Sequence, residues 1–337
     1  MTDDDLRARQ RAADPLYDQR AEMPSHEFDG VDYFVNDPRR SAPPRPAVLA
    51  YFDSLLSRPA LADRIDEVTA GMAAALAATT ALSLQPRQAG WVVAGSAEQR
   101  DWSPATRDAL IGALRSGRPD VVTLHFGTAH DEKRWHLEAW SDPFRPESAL
   151  SLSLSPVGEL WEPDETDTAA DGVAALLQSW QQPLSLSTAG VTYDRTGPHL
   201  SPWDAWYTMD HRISAPLSRE RVRGYYWWNL LTAGHVARLG GLDSLRARAA
   251  ERGLAVDPLE SGAVLRFPGP ITAFADDRLA AMKEVLTPVL IPRRYVNYAG
   301  YPLRILPDPG TAFRRVPPGS PYPRLTAGSG PLPAPEQ

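Results

Sequence analysis

Between His125 and Glu138 the chain gathers three histidines and three carboxylates: His125, His130, Asp131, Glu132, His136 and Glu138. Acid–base hydrolysis and divalent-metal binding both use a histidine beside a carboxylate. The imidazole moves the proton or ligates the ion, and the carboxylate fixes its tautomer. If residues 135–140 form a strand, His136, Glu138 and Trp140 share one face, because side chains alternate along a strand. A hydrolase, metal-dependent or not, would use this cluster. The other reading is a wet sheet face beside a charged hairpin loop, whose histidines and acids are structural ion pairs. Elsewhere the chain has no Gly-x-Ser-x-Gly, no Gly-x-Gly-x-x-Gly, no phosphate loop ending in Lys-Ser/Thr and no His-Glu-x-x-His. His211 and His235 stand singly in apolar or helical surroundings and read as hydrogen-bonded structure. Motifs therefore assign no catalytic residue, no metal ligand and no cofactor. A pair of carboxylates for sugar hydrolysis stays open, because their separation is set in three dimensions.

A second set of residues suits binding. The stretch Glu159-Leu160-Trp161-Glu162-Pro163-Asp164-Glu165-Thr166-Asp167 reads as an acidic loop at the midpoint of the chain. Glu159, Glu162, Asp164, Glu165 and Asp167 would steer a basic partner, and Trp203 and Trp206 are the large anchors that interfaces use. Trp203, Asp204, Trp206, Tyr225 and Tyr226 would equally suit a carbohydrate-stacking groove. The densest aromatic run is Gly224-Tyr225-Tyr226-Trp227-Trp228-Asn229. Adjacent Trp227 and Trp228 face opposite sides of a strand, so at least one of them belongs in a core.

The bulk of the chain fits a packed protein. Its 337 residues are 43% hydrophobic and 23% charged, with 33 Pro and no Cys. Without cysteine there is no disulfide, thiolate zinc site or thiol nucleophile. The formal net charge of −7 argues against non-specific nucleic-acid binding, which rests on neutralising phosphates. The start, Met1-Thr2-Asp3-Asp4-Asp5, lacks the basic and apolar regions of a signal peptide. The Ala70–Leu82 run is too short to span a bilayer. A cytoplasmic protein with no membrane partner is expected.

The elements that must hold these residues follow from periodicity and caps. Residues 1–45 read as an extended arm, 46–300 as an α+β globular domain, and 301–337 as a Pro-rich tail. The domain divides into loosely similar parts, 46–160 and 161–300, though no register supports a repeat. Helices are expected at Ala47–Leu56, at Ala62–Leu82 and from Ser103-Pro104 to Gly117, the last with a cap followed by Pro at its first position. Strands follow at Gly90–Gly95, Val121–Phe126, Trp135–Trp140 and Leu150–Leu154. Val173, Leu176, Leu177 and Trp180 form a helical stripe that Pro183 stops. Strands near Leu184–Thr192 and Ala205–Ile213 come next. Thr232 caps a short helix ended by Gly240, and a helix over Leu242–Arg252 closes at Gly253. A hairpin joins Leu254–Leu259 to Ala263–Phe267, and a last helix carries Leu279, Met282, Val285 and Leu286. The class is α+β, a mixed and largely antiparallel sheet packed against helices.

The order of a helix ending in Trp180, strands, Gly-Tyr-Tyr-Trp-Trp-Asn-Leu-Leu-Thr at 224–232, Leu239-Gly240-Gly241, Ala263-Val264-Leu265-Arg266-Phe267 and a closing helix to Leu286-Thr287-Pro288-Val289 resembles a known group. It is similar to bacterial immunity proteins of polymorphic-toxin and type VI secretion systems, the DUF3396 and immunity-protein-52 families. The likeness runs from about Gly90 to Leu290. It implies a non-catalytic cytoplasmic protein that binds a cognate toxin and occludes it. Contact residues in such families vary with the toxin, so none carries over by position.

Overall fold

The run Ala47-Val48-Leu49-Ala50-Tyr51-Phe52-Asp53-Ser54 sets the architecture, and it is a strand, β1, rather than the helix its apolar density suggests. It pairs antiparallel with β6 (Leu150–Pro156) on one side and β7 (Leu186–Asp194) on the other. Residues 48–54 are buried whichever way they point. A strand covered on both faces loses the polar–apolar alternation that marks strands in sequence, so its period cannot tell it from a buried helix.

The computed structural model describes residues 47–80, 85–93, 96–119, 121–127, 135–140, 150–156, 163–194, 218–274 and 276–290. The remaining strands are β2 (Gln85–Val93), β3 (Ser96–Asp101), β4 (Val121–Gly127), β5 (Trp135–Trp140), β8 (Trp228–Thr232), β9 (Ala255–Leu259) and β10 (Gly262–Arg266). They join one ten-stranded sheet in the order β3-β2-β4-β5-β6-β1-β7-β8-β10-β9. Every ladder in it is antiparallel. The parallel component of a mixed sheet is reduced to an isolated bridge between Val222 and Leu290. The α+β class holds, and strands from both parts of the chain share the sheet.

Register separates the two faces. Trp91, Val122, Ala139, Leu152, Phe52, Ala189, Leu230 and Val264 stand opposite one another in turn, one row of buried apolar residues across eight strands. One residue along, the row reads Gly90, Thr123, Glu138, Ser153, Tyr51, Gly190, Asn229 and Leu265. Period-two alternation places that second row on the opposite, more polar face.

Seven α-helices are described: α1 (Arg58–Ala62), α2 (Ile65–Thr80), α3 (Pro104–Arg115), α4 (Pro163–Trp180), α5 (Ala233–Arg238), α6 (Leu242–Glu251) and α7 (Asp276–Leu286). Ile65, Val68 and Met72 on α2 and Val173, Leu176, Leu177 and Trp180 on α4 are buried at the expected helical spacing. Trp180 meets Phe52 of the apolar row at 6.0 Å between ring centroids. Its indole also sits where a Cβ on Gly71 would be, so α2 and α4 touch at a glycine. Caps fall where the sequence puts them. The Ser103 hydroxyl accepts from the Thr106 N–H, Pro104 opens α3, and Gly240 leaves α5 with a φ of 88° that only glycine adopts freely.

The polar face is crossed by Ser218 to Trp227. Tyr226 lies flat over Gly190 of β7, where a Cβ would fall 1.9 Å from the ring. Tyr51 of β1 is 6.3 Å from the same ring. Val222 N–H donates to the Val289 carbonyl, and the Arg221 guanidinium donates to that of Pro288, pinning the crossing to the short 3-10 turn Thr287–Val289 after α7. Asn229 ties the end of the crossing to β8: its carboxamide accepts from Tyr226 N–H and donates to the Tyr226 and Leu265 carbonyls. Among the described residues no helix is long and apolar enough to cross a membrane.

Candidate functional site

The histidine cluster comes first. β4 and β5 place His125 opposite His136 and Thr123 opposite Glu138, and β2 sets Gln88 beside His125, so all five share the polar face. The imidazole rings stack, with centroids 4.6 Å apart and planes 6° from parallel. A ring nitrogen's lone pair lies in the plane of its ring, so stacked rings aim along parallel lines instead of converging on one ion. Glu138 is buried on the same face. Among the described residues no group of three or more His, Cys, Asp or Glu side chains is placed to hold a metal ion. His130, Asp131 and Glu132 lie outside the described residues.

The acidic stretch is only partly a loop. From Pro163 onward it is the first turn of α4, which puts Asp164 and Glu165 at a helix N-terminus, where the helix dipole favours negative charge. Asp167 points inward. Its carboxylate accepts from the Thr272 N–H and hydroxyl, each at 3.0 Å, and so fastens the start of α4 to the 3-10 turn Ile271–Ala273. One turn later the Asp171 carboxyl is pushed above its ordinary range by burial and then by the Asp167 charge, with Arg266 pulling the other way. Asp167, partly buried, thus anchors the N-terminal turn of α4 to the turn after β10. Glu159, Glu162, Trp203, Asp204, Trp206 and the strand expected at Ala205–Ile213 lie outside the described residues. The stacking groove loses Tyr225 and Tyr226, both buried; Trp227 and Trp228 are buried too. Trp227 donates its indole N–H to the Gly269 carbonyl at 2.8 Å.

The structure also assembles a buried polar cluster that sequence reading missed. Asp53 and Arg223 form an ion pair at 3.2 Å with side-chain exposures of 0% and 2%. Thr188 donates to the Asp53 carboxylate at 3.2 Å, and Ser187 donates to the Asp53 carbonyl at 3.1 Å. The Ser187 hydroxyl meets that of Ser218 at 2.5 Å. Ser187 can reach both because the β1–β7 register shifts between Asp53 and Ser54, which leaves it outside the ladder. Close by, His235 closes a capping box with Thr232 at the head of α5. Burial pushes its imidazole down to about 4. The signal was Asp53 alone in the apolar run Tyr51-Phe52-Asp53-Ser54, a charge that such a run does not bury without a partner; Arg223 gave none, since it ends the charged stretch Arg219-Glu220-Arg221-Val222-Arg223.

No protein-family model matches the chain, and no curated protein matches it. Among solved structures it is similar to the Pseudomonas aeruginosa T6SS protein PA0821. The TM-score is 0.50 at 14% sequence identity, over 73% of this chain and 76% of that one. At that identity the likeness is one of fold.

Chemically, the described polar groups are bound into the architecture. The Asp53–Arg223 pair holds the crossing segment to the centre of the sheet, Asp167 holds α4, and His235 holds the β8–α5 corner. Asp53, Arg223 and His235 are buried, and Asp167 is partly so.

Proposed function

We propose that this chain is a non-catalytic binding protein associated with type VI secretion, an immunity protein that neutralises a cognate toxin by occluding it in the cytoplasm. The observation that carries the reading is the fold shared with a T6SS protein across about three quarters of both chains. The resemblance of residues 224–232 and their flanking elements to immunity proteins supports it independently. A broad antiparallel sheet, locked by buried polar contacts, is a stiff platform, and stiffness lowers the ordering cost of binding.

The recognition surface in this reading is the acidic end of α4 with what precedes it, Glu159, Glu162, Asp164 and Glu165, together with Trp203 and Trp206. Asp167 belongs to the same set, partly buried, with its carboxylate also accepting from Thr272. Carboxylates at the rim of an interface act mainly on encounter, so they would speed capture of a basic toxin face and make it salt-sensitive. The tryptophans would supply the contact area that slows release.

Co-expression tests the reading. A candidate toxin domain, taken from any large secreted protein found encoded beside this gene, is produced in a sensitive host with and without this chain, and growth is followed. Protection together with co-purification of the two proteins is the expected result. Full toxicity in the presence of folded, abundant chain overturns it.

A further inference from the structure

The polar face of the sheet continues well past the crossing segment. The crossing meets β1 and β7 through Arg223 and Tyr226, and α7 meets β8 through Met282 and Asn229. Toward the other edge the same face runs on over β6, β5, β4, β2 and β3. There the register sets Asp101 opposite Gln88, Gln88 opposite His125 and His125 opposite His136. The next row holds Gln99, Gly90, Thr123 and Glu138. Gln88 accepts from Gln99 at 2.5 Å and donates to Asp101 at 3.1 Å. Neither row contains a Lys or Arg, so its fixed charges are the carboxylates of Asp101 and Glu138. Asp101 is exposed at the edge, whereas Glu138 on β5 is 4% exposed. A carboxylate buried to that extent calls for cations or hydrogen-bond donors against it.

The described residues end at Leu290 on this same side. Leu290 bridges Val222, the neighbour of the Arg223 that pairs with Asp53 of β1. The sequence that follows has the charge the face lacks: residues 291–306 carry Arg293, Arg294 and Arg304 and no acid. Other stretches outside the described residues that hold cations also hold acids. Residues 1–46 have ten acids and seven arginines, and residues 195–217 set Asp204 and Asp210 against Arg195 and Arg212. Length fits as well. Strands lie about 4.8 Å apart, so β5 is about 10 Å from β1 and β3 about 24 Å. At about 3.3 Å per extended residue, the chain from Leu290 reaches β5 by Arg293 and β3 by Ala299.

We propose that residues 291–306 dock across the polar face of β6, β5, β4, β2 and β3 in their own chain, with Arg293 and Arg294 against Glu138. Tyr295, Tyr298 and Tyr301 bring flat rings suited to the surface of the stacked His125 and His136. Tethering at Leu290 keeps the segment at high effective concentration over the face. Docking here uses no residue of the proposed toxin surface, so the two readings fail separately.

A chain without cysteine allows disulfide trapping in the full-length protein. Ala299→Cys is combined with Ala97→Cys, exposed on this face of β3, or with Ala250→Cys, exposed on α6, which packs against β9 at the opposite edge. Under mild oxidation the bridge to Ala97→Cys is expected within one chain and at least tenfold faster than the bridge to Ala250→Cys. Adding Arg293→Glu/Arg294→Glu should slow that reaction at least tenfold. Equal rates at the two sites, bridges formed between chains instead of within one, or a fast reaction indifferent to the charge reversal overturns the docking. If the reversed variant does not fold, Arg293→Gln/Arg294→Gln takes its place, with a slowed reaction expected and an unchanged one overturning the proposal.

Discussion

At the scale of single residues, the Asp53–Arg223 pair shows how charge is used in this interior. Removing two ions from water costs several kcal/mol apiece, and their attraction offsets this only when the remaining lone pairs and protons are satisfied. Thr188 satisfies part of that need at the Asp53 carboxylate. Breaking the pair from one side leaves a buried charge without its counterion. Arg223→Met or Asp53→Leu alone should therefore cost about 3–5 kcal/mol of unfolding free energy in urea titrations. The double replacement should be clearly less damaging than the sum of the singles. Strict additivity would mean that the two charges do not act as a pair. In the sequence Asp53 stands out as the one charge in an apolar run, whereas Arg223 is hidden among Arg219, Glu220 and Arg221. Their meeting depends on β1 and the 218–227 crossing lying face to face, which no local pattern encodes.

At the scale of elements, local chemistry was legible wherever a cap or a one-sided face produced it. Ser103-Pro104, Thr232, Gly240 and Gly253 marked helix ends correctly, and the Glu260-Ser261-Gly262 turn joined β9 to β10 as expected. Two strands escaped. β1 was hidden because both its faces are buried. β3, Ser96–Asp101, was hidden for the opposite reason: as an edge strand of charged and polar residues it carries no apolar stripe. Those charges suit an edge, where they discourage pairing with another chain. The acidic stretch was half legible, since its sequence gave the charge but not the helix start at Pro163. The close contact of the crossing segment with the sheet belongs to this scale too. Gly190 allows Tyr226 to lie against β7, and a Cβ there would strike the ring. Gly190→Ala should displace Tyr226 and cost about 1–3 kcal/mol, the usual range for overpacking, with near-ultraviolet circular dichroism reporting the moved aromatics. An unchanged spectrum and stability would mean that the crossing segment does not lie on Gly190.

At the scale of the whole molecule, β1 is the strand that joins the parts. It is early in the chain, yet it sits between β6 and β7, so strands before and after the 160 region form one sheet. Urea unfolding followed by tryptophan fluorescence and by far-ultraviolet circular dichroism should therefore give coincident single transitions. Two separated transitions would mean that the sheet is not continuous through β1. The same architecture bears on His136 and Glu138, which strand alternation over 135–140 puts on one face without orienting their side chains. The structure stacks His125 on His136 rather than aiming both at a point. The proposed function is capture of a toxin through Glu159, Glu162 and the acidic start of α4 together with Trp203 and Trp206. Surface plasmon resonance of the wild-type chain and of Glu159→Lys/Glu162→Lys against the toxin domain that the protection assay identifies tests this proposal directly. We expect tight binding by the wild-type chain, with an association rate that falls as salt rises. The charge-reversed chain should associate at least tenfold more slowly and lose most of that salt dependence. No binding by the wild-type chain, or association by the reversed chain at an unchanged rate and salt dependence, would contradict it.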